Sequence, residues 1–201
     1  MVVPPVPSVG KLTNFLGPAV YVKQDEADAA AVRRCLEGES NAFAELVERY
    51  QRPLFNVALR LLGSYDGASD ATQNAFLKAY AHLETFDSTQ RFFSWIYRVL
   101  RNECLNALRA KRPWEPLSED LIDAARPVDA VEAAERDHAV RQALMSLPVE
   151  YREVIALRHF VEMSYEDIGV ALGIPAKTVK SRLYSARQRL AERLSAWKAR
   201  V

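Results

Sequence analysis

The chain has 201 residues, 49% of them apolar, and a formal net charge of +1, which gives enough apolar material for real cores and argues against wholesale disorder. No apolar run reaches the roughly 20 residues needed to span a bilayer. The two cysteines, Cys35 and Cys104, lie far apart without CxxC or CxxH spacing, which excludes a zinc framework or disulfide scaffold and leaves ordinary packing as their reading. The small total charge hides a segregation: −3 over residues 1–90, +5 over 91–112, −6 over 113–138 and +5 over 139–201. Two basic segments parted by an acidic one point to two nucleic-acid contacts and a bridge with another job.

Residues 1–24 hold four of the ten prolines and keep no period, so they read as an extended tail. The tail lacks the cationic start and apolar block of a signal peptide, and a reduced, cytoplasmic location is the default expectation. Asp25 opens a helical pattern that Gly38 stops. Ser40 is placed to cap a second helix with apolar positions from Phe43 to Leu62, bent or interrupted at Pro53 and ended by Gly63. A turn, SYDG, precedes a third helix from about Ala68 to Leu83, whose polar face carries Asp70, Gln73 and Asn74. Thr85 to Arg91 reads as a loop.

A fourth helix runs to about Arg112. It interleaves Phe92, Phe93, Trp95 and Tyr97 with Arg91, Arg98 and Arg101, the mixture of flat rings and cations that single-stranded nucleic acid requires. Phe92 and Trp95 fall on the apolar stripe, which favours burial over stacking. Asn102 and Asn106 stand one turn apart on one face, either as base-edge readers or as plain surface amides. Residues 113–133, with Pro113, Pro116, Pro127 and most of the acidic block, read as a linker. A helix from about Ala134 to Ser146 follows, then Leu147-Pro148 and a further helix to about Phe160.

Ser164 to Leu190 reads SYEDIGVALGIPAKTVKSRLYSARQRL. Ser164 with Asp167 marks a helix start, Gly173 a stop, and Pro175 suits the first turn of the next helix. That helix sets Val179, Leu183, Ala186, Leu190 and Leu194 on one stripe and Lys177, Ser181, Tyr184 and Gln188 opposite, at roughly 100° per residue. Lys180 and Arg187 flank the polar front on one side, Arg182 and Arg189 on the other. An apolar back, polar front and cationic flanks suit a recognition helix in a major groove, the alternative being a helical hairpin with a solvated basic face. No Gly-rich phosphate loop, metal cluster or nucleophile–base pair stands out, so no enzyme is expected and no cofactor or metal either.

This order of parts resembles an extracytoplasmic-function sigma factor of bacterial RNA polymerase over about residues 25–195. AFAELVERYQRPLFNVALRLLG, SDATQNAFLKAY, FFSWIYRVLRN, LPVEYREVIALRHF and TVKSRLYSAR carry the resemblance, all five in order. It implies an all-α protein of two small helical domains joined by an acidic flexible linker. An extension over 1–24 would precede a domain 2-like bundle at 25–112, a linker at 113–133 and a domain 4-like helix-turn-helix at 134–201.

It further implies docking of Asp70, Gln73 and Asn74 on the clamp helices of core RNA polymerase, and contact of the second domain with the polymerase flap. Phe86, Asp87 and Ser88 would lie in the loop that captures a flipped −10 base, with Tyr97, Arg98, Arg101, Asn102 and Asn106 along the captured strand. Lys177, Thr178, Lys180, Ser181, Arg182, Tyr184, Ser185 and Arg187 would read −35 duplex DNA. The implied partners are core polymerase, promoter DNA and an anti-sigma factor, which would hold the chain at the inner membrane without insertion. Three departures are visible: Gly67-Ala68-Ser69-Asp70 where the family carries an acidic run, with Asn74 for a glutamate; Ser185 for an arginine; and a tail before Asp25 longer than most members carry. Two rival readings are a helix-turn-helix regulator with an N-terminal dimerisation or interaction module, and a helical module that binds only protein.

Overall fold

A computed structural model describes the backbone of residues 25–110 and 128–198, and the side chains of 25–110 and 137–195. The expected N-terminal tail and residues 111–127 of the chain, including most of the acidic linker, lie outside the described residues. Within them every regular element is helical: α1 (Asp25–Leu36), α2 (Ala42–Leu62), α3 (Tyr65–Ala81), a 3₁₀ turn (Leu83–Thr85), α4 (Phe92–Ala110), α5 (Val128–Met145), α6 (Val149–His159), α7 (Tyr165–Leu172) and α8 (Ala176–Lys198).

Local chemistry sets the boundaries, and several differ from the expected ones. Ser40 does not cap α2. Asn41 holds that position with a helical backbone and no side-chain bond, and Ala42, Phe43 and Ala44 donate instead to the carbonyls of Glu39, Ser40 and Asn41. Pro53 is buried inside an unbroken α2, at the cost of the bond its nitrogen would donate to the Arg49 carbonyl. Gly63 ends the helix in the left-handed region at φ 68°, its N–H bonded to the Leu59 carbonyl at 2.8 Å. The SYDG stretch is a cap and first turn rather than a separate turn: extended Ser64 accepts from the Gly67 N–H at 3.2 Å, so α3 starts at Tyr65. Helix α5 begins at Val128, six residues ahead of the expected start.

Helices α1 to α4 pack around one another, with α2 and α4 supplying the inner faces. On α2, Leu46, Tyr50, Leu54, Val57 and Leu61 recur every three or four residues and are buried, each worth about 1.5–3 kcal/mol relative to exposure. Buried Asp28 of α1 is held by Arg49 and Tyr50 of α2, so a carboxylate inside the bundle has both a charge and a hydroxyl partner. Helices α5, α6 and α7 pack on α8.

The two groups of helices also meet. Helix α2 packs on α5 and α6, and α4 packs on α7, so the buried apolar residues form one continuous core from Ala31 to Ala186.

Candidate nucleic-acid and polymerase interfaces

The C-terminal helix pair is built as its residues dictate. Ser164 accepts from the Asp167 N–H at 3.1 Å and starts α7. Gly173 ends it at φ 69°, and the Gly173 and Ile174 N–H groups both return to the Gly169 carbonyl. Gly169 is pressed against the turn: a β-carbon there would lie 2.7 Å from the Ile174 carbonyl oxygen. This close approach fixes the angle at which α8 leaves α7.

Val179, Leu183 and Ala186 of α8 are fully buried. Opposite them Lys177, Lys180, Ser181 and Tyr184 are exposed, Tyr184 to 66%. Thr178 and Ser185 are half-buried beside this front, and the Ser181 hydroxyl donates to the Thr178 carbonyl at 3.0 Å. The arginine flanks are not free in the way the helical wheel suggests. Arg187 donates to His159 Nε2 at 3.2 Å, Arg189 lies over the Tyr151 ring at 5.2 Å, and half-buried Arg182 acts electrostatically on Glu153. The exposed cations on the front are the two lysines, Lys177 and Lys180.

In the N-terminal half, Asp70, Gln73 and Asn74 are all exposed on α3. Leu77, 61% exposed, continues the same face one turn on. Sequence reasoning missed it, although its position off the apolar stripe was the available signal.

The loop after the 3₁₀ turn folds on itself. Asp87 accepts from the Thr89 N–H at 2.9 Å and the Thr89 hydroxyl at 2.7 Å, which holds its carboxyl below the usual carboxylate range. Gln90 bonds both Asp87 and Arg98, so Arg98 braces the loop from α4. Phe86 is half-buried, edge-on to Phe92 and Trp95 at 5.4 Å each, and Ser88 is exposed.

Beside the loop, α3 and α4 enclose an open cleft of about 430 Å³ lined by Lys78, His82, Trp95, Glu103, Asn102 and Asn106 among others. Lys78 and Glu103 pair across it at 2.7 Å. Trp95 therefore serves two surfaces: one part packs on Phe86 and Phe92, and another lines the cleft with the two amides. The apolar stripe favours burial of Trp95 and does not register its second, cleft-lining part.

Two expected strand contacts are elsewhere. Tyr97 is fully buried, stacked on Phe93 at 6.3 Å, and does not face the cleft. Arg101 is turned to Glu153 of α6, with which it forms an ion pair. Both lie where α4 is covered by the C-terminal helices, which a single helical wheel does not register.

Among the described residues no group of three or more His, Cys, Asp or Glu side chains is placed to hold a metal ion, and no helix is long and apolar enough to cross a membrane.

Residues 46–113, which contain the exposed α3 face, the loop and the cleft, match sigma-70 region 2, and residues 137–190, which contain the helix-turn-helix, match sigma-70 region 4. The chain is 32% identical over 176 residues to the ECF RNA polymerase sigma factor SigW of Bacillus subtilis, covering 81% of this chain and 94% of that one. It is 34% identical to the RNA polymerase sigma-H factor of Pseudomonas aeruginosa, covering 81% and 91% of the two chains. Among solved structures, CnrH in complex with the cytosolic domain of CnrY superposes with a TM-score of 0.66 at 26% identity, over 85% of this chain and 98% of that one. The sigma factor RpoE in complex with the anti-sigma factor NepR from Bartonella quintana superposes with a TM-score of 0.59, also at 26% identity, over 77% and 98%. With both regions matched in order and relatives above 30% identity across four fifths of its length, the chain belongs to the extracytoplasmic-function sigma factors, the promoter-directing initiation subunits of RNA polymerase.

Proposed function

We propose that this sigma factor divides promoter recognition between two faces of different chemistry. The exposed front of α8, with Lys177, Lys180, Ser181 and Tyr184, enters the major groove of the −35 element, the lysines holding phosphates and the shorter polar groups meeting base edges. The cleft between α3 and α4 takes an unstacked base of the −10 non-template strand. Holding a base outside the duplex must offset a few kcal/mol of unstacking. Stacking on an aromatic ring contributes about 1–3 kcal/mol, and the Asn102 and Asn106 amides add directional bonds. Asp87 shapes the loop at the cleft mouth through Thr89, leaving Ser88 outermost.

The α3 face of Asp70, Gln73, Asn74 and Leu77 docks on the polymerase clamp helices, with one acid where an acidic run is usual and an exposed leucine adding apolar contact. The protein acts as a dissociable cytoplasmic specificity subunit and not as an enzyme. An anti-sigma factor holds it inactive, a reading that the two solved relatives support, since one was solved in complex with the anti-sigma factor NepR and the other in complex with the cytosolic domain of CnrY.

The observation that carries this reading is the pairing of a helix with an exposed polar front, suited to a duplex, and an aromatic-lined cleft with amides, suited to an extruded base, in separate halves of one chain. Run-off transcription tests it. Core polymerase with this protein should produce a promoter-directed transcript from a template selected out of genomic DNA. Symmetric duplex binding without polymerase, and no transcript, would contradict it.

A further inference from the structure

The polar front of α8 does not end at Tyr184. Tyr184, Ser185, Gln188, Arg189 and Glu192 line an open hollow of about 490 Å³ on the helix surface. Tyr184, 66% exposed, walls one end, and exposed Glu192 stands two turns further along at the other. Between them Ser185, the smallest of the five, is half-buried and leaves the space open.

The side chains around the hollow decide what it can hold. Side chains on a helix lean toward its N-terminus, so Gln188 lies over the turn of Tyr184 and Ser185. Among the described residues neither the Gln188 amide nor the Ser185 hydroxyl has a hydrogen-bond partner, and both are available to a ligand. Arg189, on the same rim, has its guanidinium over the Tyr151 ring of α6 at 5.2 Å. Arg187 is bonded to His159, and half-buried Arg182 acts on Glu153. The guanidinium forks that suit guanine are thus engaged with α6, and the group left free is an amide. The Glu192 carboxylate repels phosphate, so the hollow suits a base edge and not the backbone.

In the major groove adenine presents an acceptor at N7 and a donor at N6, which a glutamine amide meets with both of its ends. Guanine offers two acceptors there, cytosine a donor, and thymine an acceptor with a methyl group, so none of them matches both ends.

We propose that Gln188 is a specificity-determining residue of the duplex-reading face, and that it selects adenine at one position of the −35 element in the space Ser185 leaves open. The inference rests on α8 lying in the major groove, and it assigns one base to one side chain.

The test is a selection by the holoenzyme, core polymerase with the full chain, from promoter duplexes randomised across the upstream element. With the wild type, one position should be held to adenine. Gln188→Ala should lower the preference for adenine there about tenfold and leave the other positions within about twofold. Gln188→Glu should move that position to cytosine, whose N4 amino group donates to a carboxylate. Ser185→Arg fills the hollow with a fork that fits guanine, and should bring in guanine at or next to that position. Alanine, glutamate and arginine are all strong helix formers, so α8 keeps its shape in each variant.

An unchanged profile for Gln188→Ala overturns the inference. So does an even loss across every position, which marks a residue that only supports the helix, and so does a selected guanine that disappears with Arg189→Ala. Lys180→Ala separates this inference from the reading of α8 itself. If that change weakens binding to the whole library while Gln188→Ala alters no position, α8 still reads the duplex and Gln188 does not choose a base. If neither change affects upstream binding, the placement of α8 in the groove falls as well.

Discussion

Arg187 donates to His159 at 3.2 Å, and a guanidinium only donates, so Nε2 of the ring accepts and the imidazole is neutral. Burial, followed by the charges of Arg187 and Arg158, pushes this histidine down to about 4. In the unfolded chain the ring takes its proton near 6.5. Between those values the unfolded state binds more protons than the folded one, so this group's contribution is complete above about pH 6.5 and is lost as the pH falls through about 4. The loss amounts to roughly 2 kcal/mol once solvent at its partly exposed edge is allowed for. Asp28 and Glu153, raised by burial, have the opposite sign, so the expectation concerns a difference. Denaturation midpoints measured from pH 7 to 4 should fall more steeply for wild type than for His159→Gln. Parallel curves would show that the ring is not held neutral. Arg187, placed by the helical wheel on the flank of the DNA-reading front, is tied by this bond to the protein's own interior.

At the scale of elements, the turn between α7 and α8 turns on Gly169. Gly169→Ala places a β-carbon against the Ile174 carbonyl oxygen, a backbone atom that moves only if the turn moves. Overpacking of this kind costs about 1–3 kcal/mol. The variant should melt earlier by that amount and weaken duplex binding by tilting α8; an unchanged melting temperature would mean that the turn has slack.

The sequence made most of these elements legible because their signals are local: Ser164 and Asp167 for the start of α7, Gly63 and Gly173 for two helix ends, the 3–4 spacing of Leu46 to Leu61 for the buried side of α2. It misplaced the starts of α3 and α5 by a few residues. Gly67 and the Ser64 cap read equally well as a turn, and the acids and prolines before Ala134 mask a helix that starts at Val128.

The same logic separates what was legible in the site. Asn102, Asn106, Asp70, Gln73 and Asn74 stand off the apolar stripes of their own helices, and all five are exposed. Tyr97 and Arg101 also look outward from their own bundle. A second bundle covers them, and a periodicity computed along one helix carries no record of what another part of the chain lays on it.

At the scale of the whole molecule, charge segregation is what organises the chain. The +5 segment at residues 91–112 and the +5 segment at 139–201 would repel if simply apposed, yet α4 packs on α7. The acids among the basic elements resolve this: Glu153 and Asp167 face Arg101 and Arg91 across the junction. Ion pairs of this kind are poor sources of net stability, because desolvating the charges offsets much of their attraction, and losing one partner leaves the other stranded. The parts facing outward in the closed arrangement, the α8 front, the α3 face and the α3–α4 cleft, are those assigned to duplex, polymerase and extruded base.

The account stands on the separation of duplex reading from strand capture, and a permanganate and nuclease footprint of the reconstituted polymerase on one promoter measures both at once. Lys180→Ala should weaken upstream protection several-fold and reduce the bubble only in proportion. Asn102→Ala should leave upstream protection intact while thymine reactivity around −10 falls at least tenfold. Equal loss of both signals in both variants would contradict the division of labour.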